Sequence, residues 1–165
     1  MYHHVSEFVA DWQNETAATE KVLAALTDAS LPQAVTPEGR TLGRLAWHIT
    51  HTLTEMPHTA GLLATDELAG QPEPSTAAAI QETYHRLAQQ VAAAATRWTD
   101  AELGDEVPMY GDTWTKRVVL ALLIRHEIHH RGQMTVLMRQ AGLRVPGVYG
   151  PAREDWAEWG MPVPA

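Results

Sequence analysis

Four long stretches of the chain carry hydrophobic residues at helical spacing, and no stretch sustains the period-2 alternation of a half-buried β-strand. The predicted helices run from about Ser6 to Ala29, from Thr41 to Ala64, from Ser75 to Trp98, and from Thr113 or Thr115 to Gly142. Four amphipathic helices without strands predict an all-α fold, a four-helix bundle whose apolar stripes share one core. Loops of about ten residues leave both up-down-up-down and crossover connectivity open.

Several side chains mark where these helices begin and end. The predicted N-terminal capping residues, whose hydroxyl groups accept a backbone hydrogen bond, are Ser6, Thr41 and Ser75. Pro57 is expected to kink the second helix, because proline lacks the N–H group of the helical ladder. Gly142 is a predicted C-cap glycine. In the tail beyond it, Trp156 and Trp159 are expected to anchor the chain by packing on the bundle.

The composition narrows the classes of function. A length of 165 residues is typical of one domain, so we expect a single domain over residues 1–165. Twenty acidic residues against twelve basic ones give a net charge of −8, and without a basic patch we expect no nucleic-acid partner. The longest aliphatic run, Val118–Ile124, is too short to cross a membrane, and the N-terminus lacks the pattern of a signal peptide. A cytoplasmic protein without membrane contact is therefore expected.

The chain contains no cysteine and nine histidines, so any metal ion must be bound by His, Asp or Glu. On a helical wheel of the fourth helix, His126 and His130 fall in the middle of the apolar face. Gln133 lies at the edge of that face and His129 at its margin. Residues i and i+4 lie one turn apart on the same side, so the two imidazoles can converge on one point. Buried imidazoles need polar partners, which either a metal ion or protein groups can provide.

The second helix offers a third ligand. His48 borders the apolar stripe of that helix and can reach the bundle axis, whereas His51 points farther toward solvent. One histidine from the second helix and a pair from the fourth predict a three-nitrogen site across the core. Three protein ligands leave coordination positions open for water or substrate, which is typical of a catalytic site.

The other histidines and one glutamate are weaker candidates. The histidines expected at the surface are His3, His4, His58 and His85. Glu55 lies on the same side of the second helix as His48, but about 10.5 Å farther along the axis at the helical rise, so it cannot support His48 directly. It is a candidate for contact with a ligand or substrate, with a solvated side chain as the alternative.

The segment from His126 to His130 reads His-Glu-Ile-His-His and matches the His-Glu-x-x-His pattern of zincin proteases. In that interpretation the two outer histidines bind zinc and Glu127 is the general base. The longer metzincin pattern fails, because Gln133 and Val136 occupy the positions of its glycine and third histidine. No predicted strand is available to align an extended peptide beside the metal, so a zincin-like protease is kept only as a secondary alternative.

The whole chain resembles the DinB/YfiT-like family. The resemblance rests on the segment His126-Glu-Ile-His-His-Arg-Gly-Gln133, on the segment Leu45-Ala-Trp-His48, and on the entry to the last helix between Gly111 and Arg117. Members of this family are four-helix bundles, often dimers, in which three histidines hold a divalent metal ion. The resemblance implies that His48, His126 and His130 are those ligands, the same three that the helical wheels select, and that the protein is a homodimer.

The resemblance also implies a function. The wider superfamily includes thiol-dependent transferases and a maleylpyruvate isomerase that use bacillithiol, mycothiol or glutathione. A thiol S-transferase acting on a small molecule is therefore the leading hypothesis, with zinc or nickel as the expected metal. Gln133 and Glu55 are candidates for contact with the ligands or substrate, and Arg131 for binding a carboxylate of the thiol. A metal-hydroxide hydrolase and a non-catalytic, metal-binding stress-response protein are the alternatives.

Overall fold

The structure, a computed structural model, describes residues 1–163, so the last two residues of the expected domain lie outside the described part. The helices are α1 (Val5–Ala24), α2 (Leu42–Thr59), α3 (Ala77–Ala95), α4 (Lys116–Gln140) and the short α5 (Arg153–Glu158), and the strands are β1 (Glu106–Met109) and β2 (Asp112–Thr115). The four long helices confirm the predicted bundle. Within residues 1–163, no helix is both long enough and apolar enough to span a membrane.

The contacts between the helices distinguish between the two connectivities that the sequence leaves open. Helix α1 packs against α3 and α4, and α2 packs against the same two helices. Consecutive helices α1 and α2 therefore lie diagonally across the bundle, as do α3 and α4. In a simple up-down-up-down bundle consecutive helices are neighbours, so this chain instead crosses the bundle twice, between α1 and α2 and between α3 and α4. The order sets α2 beside α4, the two helices that contain the predicted metal ligands.

All four long helices contribute to one apolar core. Its largest fully buried side chains include Phe8, Trp12, Ile49, Leu53, Tyr84, Leu87 and Leu120. The indole Nε1–H group of Trp12 donates to the carbonyl oxygen of Ala88 at 2.9 Å, so this large side chain is buried without an unsatisfied donor. Burial of each such aliphatic or aromatic side chain contributes about 1.5–3 kcal/mol, which makes the core the main source of stability.

A two-stranded antiparallel hairpin precedes α4, so the expectation of a chain without strands is wrong at this place. Tyr110 and Gly111 form its two-residue turn with φ angles of 51° and 86°, the signs that a type I′ turn requires. Glycine adopts such angles freely, whereas the left-handed conformation of Tyr110 costs about 1–2 kcal/mol. Each strand has only four residues, too few for a period-2 pattern, and Pro108 lies inside β1.

The start of α1 differs from the prediction. The helix begins at Val5, so Ser6 is not its cap. Instead, Asp100 Oδ1 accepts a hydrogen bond from the Val5 N–H group at 2.8 Å, and Glu7 Oε2 accepts one from the His4 N–H group at 3.1 Å. Asp100 lies 95 residues away in the sequence, so no local pattern could have identified it as a cap.

The other helix ends follow the predictions more closely. Thr41 is confirmed as the N-cap of α2, where its hydroxyl oxygen accepts a backbone hydrogen bond at 3.0 Å. Thr76 caps α3, one position beyond the predicted residue. Gly142 is confirmed at the end of α4, where its φ of 73° allows the backbone to close a Schellman motif. Helix α2 ends earlier than predicted, shortly after Pro57 and before Gly61, whose φ is also 73°.

The C-terminal tail packs on the bundle, but not through both of the predicted tryptophans. Trp159 is 60% exposed, and its ring centroid lies 6.0 Å from that of the half-buried Trp156. The tail is held instead by Val145, which is buried, and by Tyr149, whose hydroxyl group donates to Glu15 Oε2 on α1 at 2.7 Å. The expectation that Trp159 is an anchor is therefore wrong.

Arg131 of α4 completes this attachment of the tail. Its buried guanidinium group contacts Glu15 Oε2 at 2.6 Å and donates to the hydroxyl oxygens of Tyr149 at 2.6 Å and Thr19 at 3.0 Å. When a buried ion pair also satisfies its N–H groups, loss of one partner leaves a desolvated charge without compensation. Arg131 therefore links α4, α1 and the tail.

We expect Glu15→Ala to lower the free energy of unfolding by about 3 kcal/mol, because the buried Arg131 guanidinium loses its carboxylate. Glu67→Ala is the matched control, since it removes a carboxylate from Arg86, whose side chain is 54% exposed, and should cost at most about 1 kcal/mol. Urea unfolding followed by circular dichroism measures both losses. Equal losses in the two variants would contradict the role assigned to Arg131.

Candidate metal centre

Three histidines meet at the interface of α2 and α4. His48 belongs to α2, and His126 and His130 lie one turn apart on α4. The three ring centroids are 4.4–4.9 Å apart, and one ring nitrogen of each histidine lies within 4.8 Å of the other two. The Nε2 atoms of His48 and His126 are 3.1 Å apart. Within residues 1–163, this is the one group of three or more His, Cys, Asp or Glu side chains with metal-binding spacing.

Helix geometry and packing explain why the rings converge. His126 and His130 are four residues apart and therefore project from the same side of α4. The helix is buried on both sides of this pair, at Leu123 before it and at Met134 after it. On α2, His48 borders the buried face of that helix, which packs against α4. The apolar contacts between the two helices thus bring all three rings to one place.

Burial keeps the three imidazoles neutral. It lowers the pKa of His48 and of His126 to about 4, and the neighbouring rings add to the effect. Burial also lowers the pKa of His130, and the positive charge of Arg40 acts in the same direction on all three rings. A neutral imidazole keeps a lone pair that a metal ion can bind, so the cluster is in its ligand form at neutral pH.

Gln133 orients one of these rings. Its Oε1 lies 2.7 Å from His130 Nδ1, so the Nδ1–H group donates and Nε2 keeps the lone pair. The amide nitrogen of Gln133 contacts His129 Nε2 at 3.2 Å. A hydrogen bond on the far nitrogen fixes the tautomer and the orientation of a metal-binding histidine. The supporting role predicted for Gln133 thus has a direct contact as its basis.

The donor set fits a divalent ion of the first transition series. Three neutral imidazole nitrogens suit zinc, nickel or copper. In addition, His126 Nδ1 is buried and has no hydrogen-bond partner among residues 1–163. A buried nitrogen without a partner costs free energy, so protein groups alone leave the cluster incompletely satisfied. A cation held by the three rings is compatible with both observations.

Glu127 lies on a different face of α4 from its histidine neighbours. Its Oε1 accepts hydrogen bonds from the hydroxyl groups of Thr19 at 2.6 Å and Tyr84 at 2.5 Å, in the core between α1, α3 and α4. Burial raises the pKa of Glu127 to about 7. A zincin general base must reach a water on the metal, but Glu127 is 1% exposed and lines neither cleft beside the histidines. The structure therefore gives the protease interpretation no base at this position.

Two further candidates have contrasting surroundings. The guanidinium group of Arg131 is occupied by Glu15 and Tyr149, so the structure does not support its predicted contact with a thiol carboxylate. Glu55, in contrast, lines a cleft next to His48, and its Oε2 accepts a hydrogen bond from the Tyr110 hydroxyl group at 2.8 Å. Glu55 therefore remains a candidate for contact with a substrate.

The remaining histidines are distributed around the bundle. His129 is exposed at the rim of the cluster, with its ring centroid 4.8 Å from that of His130. His51 faces the loop after α2, where its Nε2 lies 3.6 Å from a carboxylate oxygen of Asp66. The histidines predicted to be surface residues are all exposed: His3, His4, His58 and His85.

Two clefts open on the histidine cluster. The first, which we call the Arg40 cleft, has a volume of about 420 Å³, and its lining includes Val35, Arg40, Leu45, His130, Gln133 and Val136. The second, which we call the hairpin cleft, has a volume of about 520 Å³, and its lining includes His48, Glu55, Tyr110, Trp114, Leu122 and His126. Because the three rings are in mutual contact, ligands in both clefts can approach the same point.

Three residues of the two clefts are not predicted by the sequence pattern: Arg40, Tyr110 and Trp114. Arg40 lies in the loop before α2, and the two aromatic residues belong to the hairpin, so no helical periodicity indicates where they point. The rings of Tyr110 and Trp114 pack edge to face with centroids 5.7 Å apart. The one available signal was the Tyr-Gly pair at the turn, which is weaker than the Asn-Gly or Asp-Gly pairs that mark most type I′ hairpins.

These observations define a four-helix bundle with a candidate three-histidine metal centre between its second and fourth helices. The chain belongs to the DinB family, whose sequence profile it matches over residues 1–161. The resemblance inferred from the sequence motifs is thereby confirmed.

Individual relatives agree with this family. The chain is 41% identical over 165 residues to YrdA of Bacillus subtilis strain 168, described as an uncharacterized protein, with 99% of each chain covered. The crystal structure of a DinB-like protein from Bacillus cereus ATCC 10987 matches with a TM-score of 0.82 at 40% identity, covering 90% of this chain and 100% of the other. The DinB-like protein YjoA of Bacillus subtilis shares the fold with a TM-score of 0.69 at 17% identity, covering 86% of this chain and 96% of the other.

We expect the protein, purified without a histidine tag, to bind about one zinc or nickel ion per chain. His126→Ala and His130→Ala should each weaken binding by more than about 100-fold, because each removes one of three nitrogen ligands. His85→Ala, which changes an exposed histidine on α3, is the control and should bind like the wild type. Equilibrium dialysis with metal analysis gives the affinities. Undiminished metal content in His130→Ala would exclude that residue from the ligand set.

Gln133→Leu should weaken metal binding by about 10–100-fold, the usual effect of removing a hydrogen bond to a metal-binding histidine. Gln133→Glu should retain more of the affinity, because a carboxylate oxygen can still accept from His130 Nδ1–H. Gln140→Leu changes an exposed glutamine at the end of the same helix and serves as the control. The role of Gln133 would be refuted if the Gln133→Leu and Gln140→Leu variants bound metal equally well.

Proposed function

We propose that this protein is a metal-dependent transferase that joins a low-molecular-weight thiol to a small electrophile. The thiol is of the bacillithiol, mycothiol or glutathione type, and the ion, zinc or nickel, is held by His48, His126 and His130. The observation that best supports a two-substrate reaction is the pair of clefts that open on one histidine cluster, the Arg40 cleft at His130 and the hairpin cleft at His48 and His126. A reaction between one organic substrate and water would need only one of them.

The number of protein ligands supports a catalytic role for the ion. Structural zinc sites are closed by four protein ligands, whereas three ligands leave a position for substrate. Among residues 1–163, no fourth His, Asp or Glu side chain joins the group. When bound, a divalent ion there supplies a positive charge that favours the thiolate form of a coordinating thiol at neutral pH.

The sulfur atom must arrive with a cosubstrate, because the chain has no cysteine. In the proposed reaction the thiolate sulfur forms a bond to the electrophilic carbon of the second substrate. The leaving group departs with the electron pair of the bond that breaks. The protein contributes by holding the two substrates in adjacent clefts, which raises their effective concentration and fixes their orientation.

The hairpin cleft suits the electrophile. Partial desolvation and the hydrogen bond to Glu55 raise the pKa of Tyr110, so its hydroxyl group stays protonated and donates to Glu55 at neutral pH. Glu55 accepts that hydrogen bond and orients the hydroxyl group. Trp114 and Leu122 add apolar surface to the same cleft. A planar or apolar electrophile can pack on these side chains, and the Tyr110 hydroxyl oxygen, whose proton is donated to Glu55, can accept a hydrogen bond from a donor group of the substrate.

The test is a thiol-conjugation assay with the metal-loaded protein. A panel of electrophiles, including 1-chloro-2,4-dinitrobenzene, is incubated with bacillithiol, mycothiol or glutathione, and the conjugate is measured by mass spectrometry. We expect turnover above the uncatalysed rate with at least one thiol, lost with a chelator and in His126→Ala. His85→Ala should retain the wild-type rate, since its side chain is exposed on another helix.

Two results would contradict the transferase proposal. Ester or amide hydrolysis without any thiol would indicate a metal-hydroxide hydrolase. Metal binding without turnover of any thiol or ester would indicate a non-catalytic, metal-binding protein. These results differ from each other and from conjugation, so the same purified protein distinguishes the three classes of function.

A further inference from the structure

We infer that the ligand of the Arg40 cleft is a small molecule with an apolar body and an anionic group, and that Arg40 binds the anion. This inference rests on the proposed function in one respect, because it treats the Arg40 cleft as one of two substrate sites. It adds the chemical class of that substrate and the residue that selects it.

The charge of the cleft is the first support. Arg40 is exposed on the cleft wall, and within residues 1–163 no carboxylate lies within ion-pair distance of its guanidinium group. The cleft lining contains no acidic side chain. Several other basic residues of the described chain also lack an acidic partner, but Arg40 is the one basic residue other than His130 in the lining of this cleft. A guanidinium group in this situation is a specific binding partner for a carboxylate.

The start of α2, next to Arg40, does not offer a competing anion site. The N–H group of Leu42 donates to the carbonyl oxygen of Gln33 at 2.8 Å, and that of Gly43 donates to Leu31 at 2.9 Å. The next N–H group is bound by the hydroxyl oxygen of Thr41 at 3.0 Å. Because these backbone donors are occupied, the side chain of Arg40 is the group that can bind the anion.

Exposed apolar side chains are the second support. Val35 is 65% exposed and Val136 is 53% exposed, and both line this cleft. Leu45 and Leu137 are buried and contribute to the same lining. An apolar surface next to an open cavity gains free energy when a hydrocarbon covers it, by about 25 cal/mol per Å². The cleft therefore suits a ligand that has an apolar segment next to its charged group better than a ligand that is polar throughout.

The hairpin cleft lacks this combination of an arginine without an acidic neighbour and exposed aliphatic side chains. It also contains an arginine, Arg125, but the carboxylate of Glu55 lies in the same lining and repels an anion. Its wall is formed by the aromatic rings of Tyr110 and Trp114. The two clefts thus differ in charge, and the anionic ligand is assigned to the Arg40 cleft.

The experiment compares hexanoate with 1-hexanol, which has the same hydrocarbon length without the charge. Saturation-transfer NMR titrations with the zinc-loaded full chain give both dissociation constants. We expect hexanoate to bind about 10-fold more tightly than 1-hexanol, a ratio equivalent to about 1.4 kcal/mol. Arg40→Gln should reduce the ratio to about 2-fold or less, and 0.5 M salt should reduce it in the wild type, since salt screens an exposed ion pair. Acetate, which lacks the hydrocarbon body, should bind more weakly than hexanoate.

Arg44→Gln is the matched control, because Arg44 is an exposed neighbour that lines neither cleft. It should keep the wild-type ratio. Equal binding of hexanoate and 1-hexanol, or an unchanged ratio in Arg40→Gln, would overturn the inference. Two other results would also overturn it. Loss of the ratio in Arg125→Gln would show that the carboxylate binds in the hairpin cleft, and loss of the ratio in His126→Ala but not in Arg40→Gln would show that it binds at the metal.

This assay contains no thiol, so its result is independent of the transferase reaction. The protein could prefer hexanoate in a manner that depends on Arg40 and yet conjugate no thiol. That result would refute the proposed function and leave the inferred ligand class standing. Thiol conjugation at the wild-type rate in Arg40→Gln, combined with equal binding of the two probes, would refute the ligand class and leave the proposed function standing.

Discussion

The imidazoles of His48, His126 and His130 are withdrawn from water at the interface of α2 and α4, and burial lowers the pKa of each. Rings in such close contact cannot all be charged, because like charges repel strongly where water is scarce. As neutral rings they still need partners for their nitrogens. The two helices must therefore keep one relative rotation, since a shift by one residue turns a side chain by about 100° away from the cluster. The diagonal connectivity of the bundle serves this requirement by setting α2 directly beside α4.

A second polar network holds α4 from its other side. Glu127 receives hydrogen bonds from α1 and α3, and Arg131 forms its buried ion pair with Glu15 of α1. Buried polar contacts with specific partners favour one packing arrangement over its alternatives. The sequence pattern His-Glu-x-x-His therefore combines two unrelated structural roles on successive faces of one helix. Its histidines contribute to the candidate metal centre, and its glutamate contributes to the packing of α4 against α1 and α3.

The helical periodicity of the hydrophobic residues was sufficient to predict the site residues whose direction depends on a single helix. His126 and His130 were found because their spacing places them on the apolar face of α4, and His48 because it borders the apolar face of α2. The partners of Glu127 and Arg131 could not be found in this way, since a helical wheel gives the direction of a side chain but not which helix lies there. The cap that Asp100 provides for α1 and the position of Arg40 depend on loop conformation. Loops have no periodic sequence pattern from which such contacts could be predicted.

The two clefts are built from different parts of the chain around the same histidines. The loop before α2 supplies Arg40 to one cleft, and the hairpin before α4 supplies Tyr110 and Trp114 to the other. Loops tolerate changes of sequence and length that a packed helix interface does not. A bundle of this kind can therefore keep its histidine centre on α2 and α4 while the loop and the hairpin change the molecules that reach it. The shared fold of YjoA at 17% identity shows how far sequences can diverge while the helical scaffold persists. The candidate metal centre and the linings of the two clefts are thus physically separable in this fold, because the three histidines lie on packed helices, whereas Arg40 lies in a loop and Tyr110 and Trp114 belong to the hairpin.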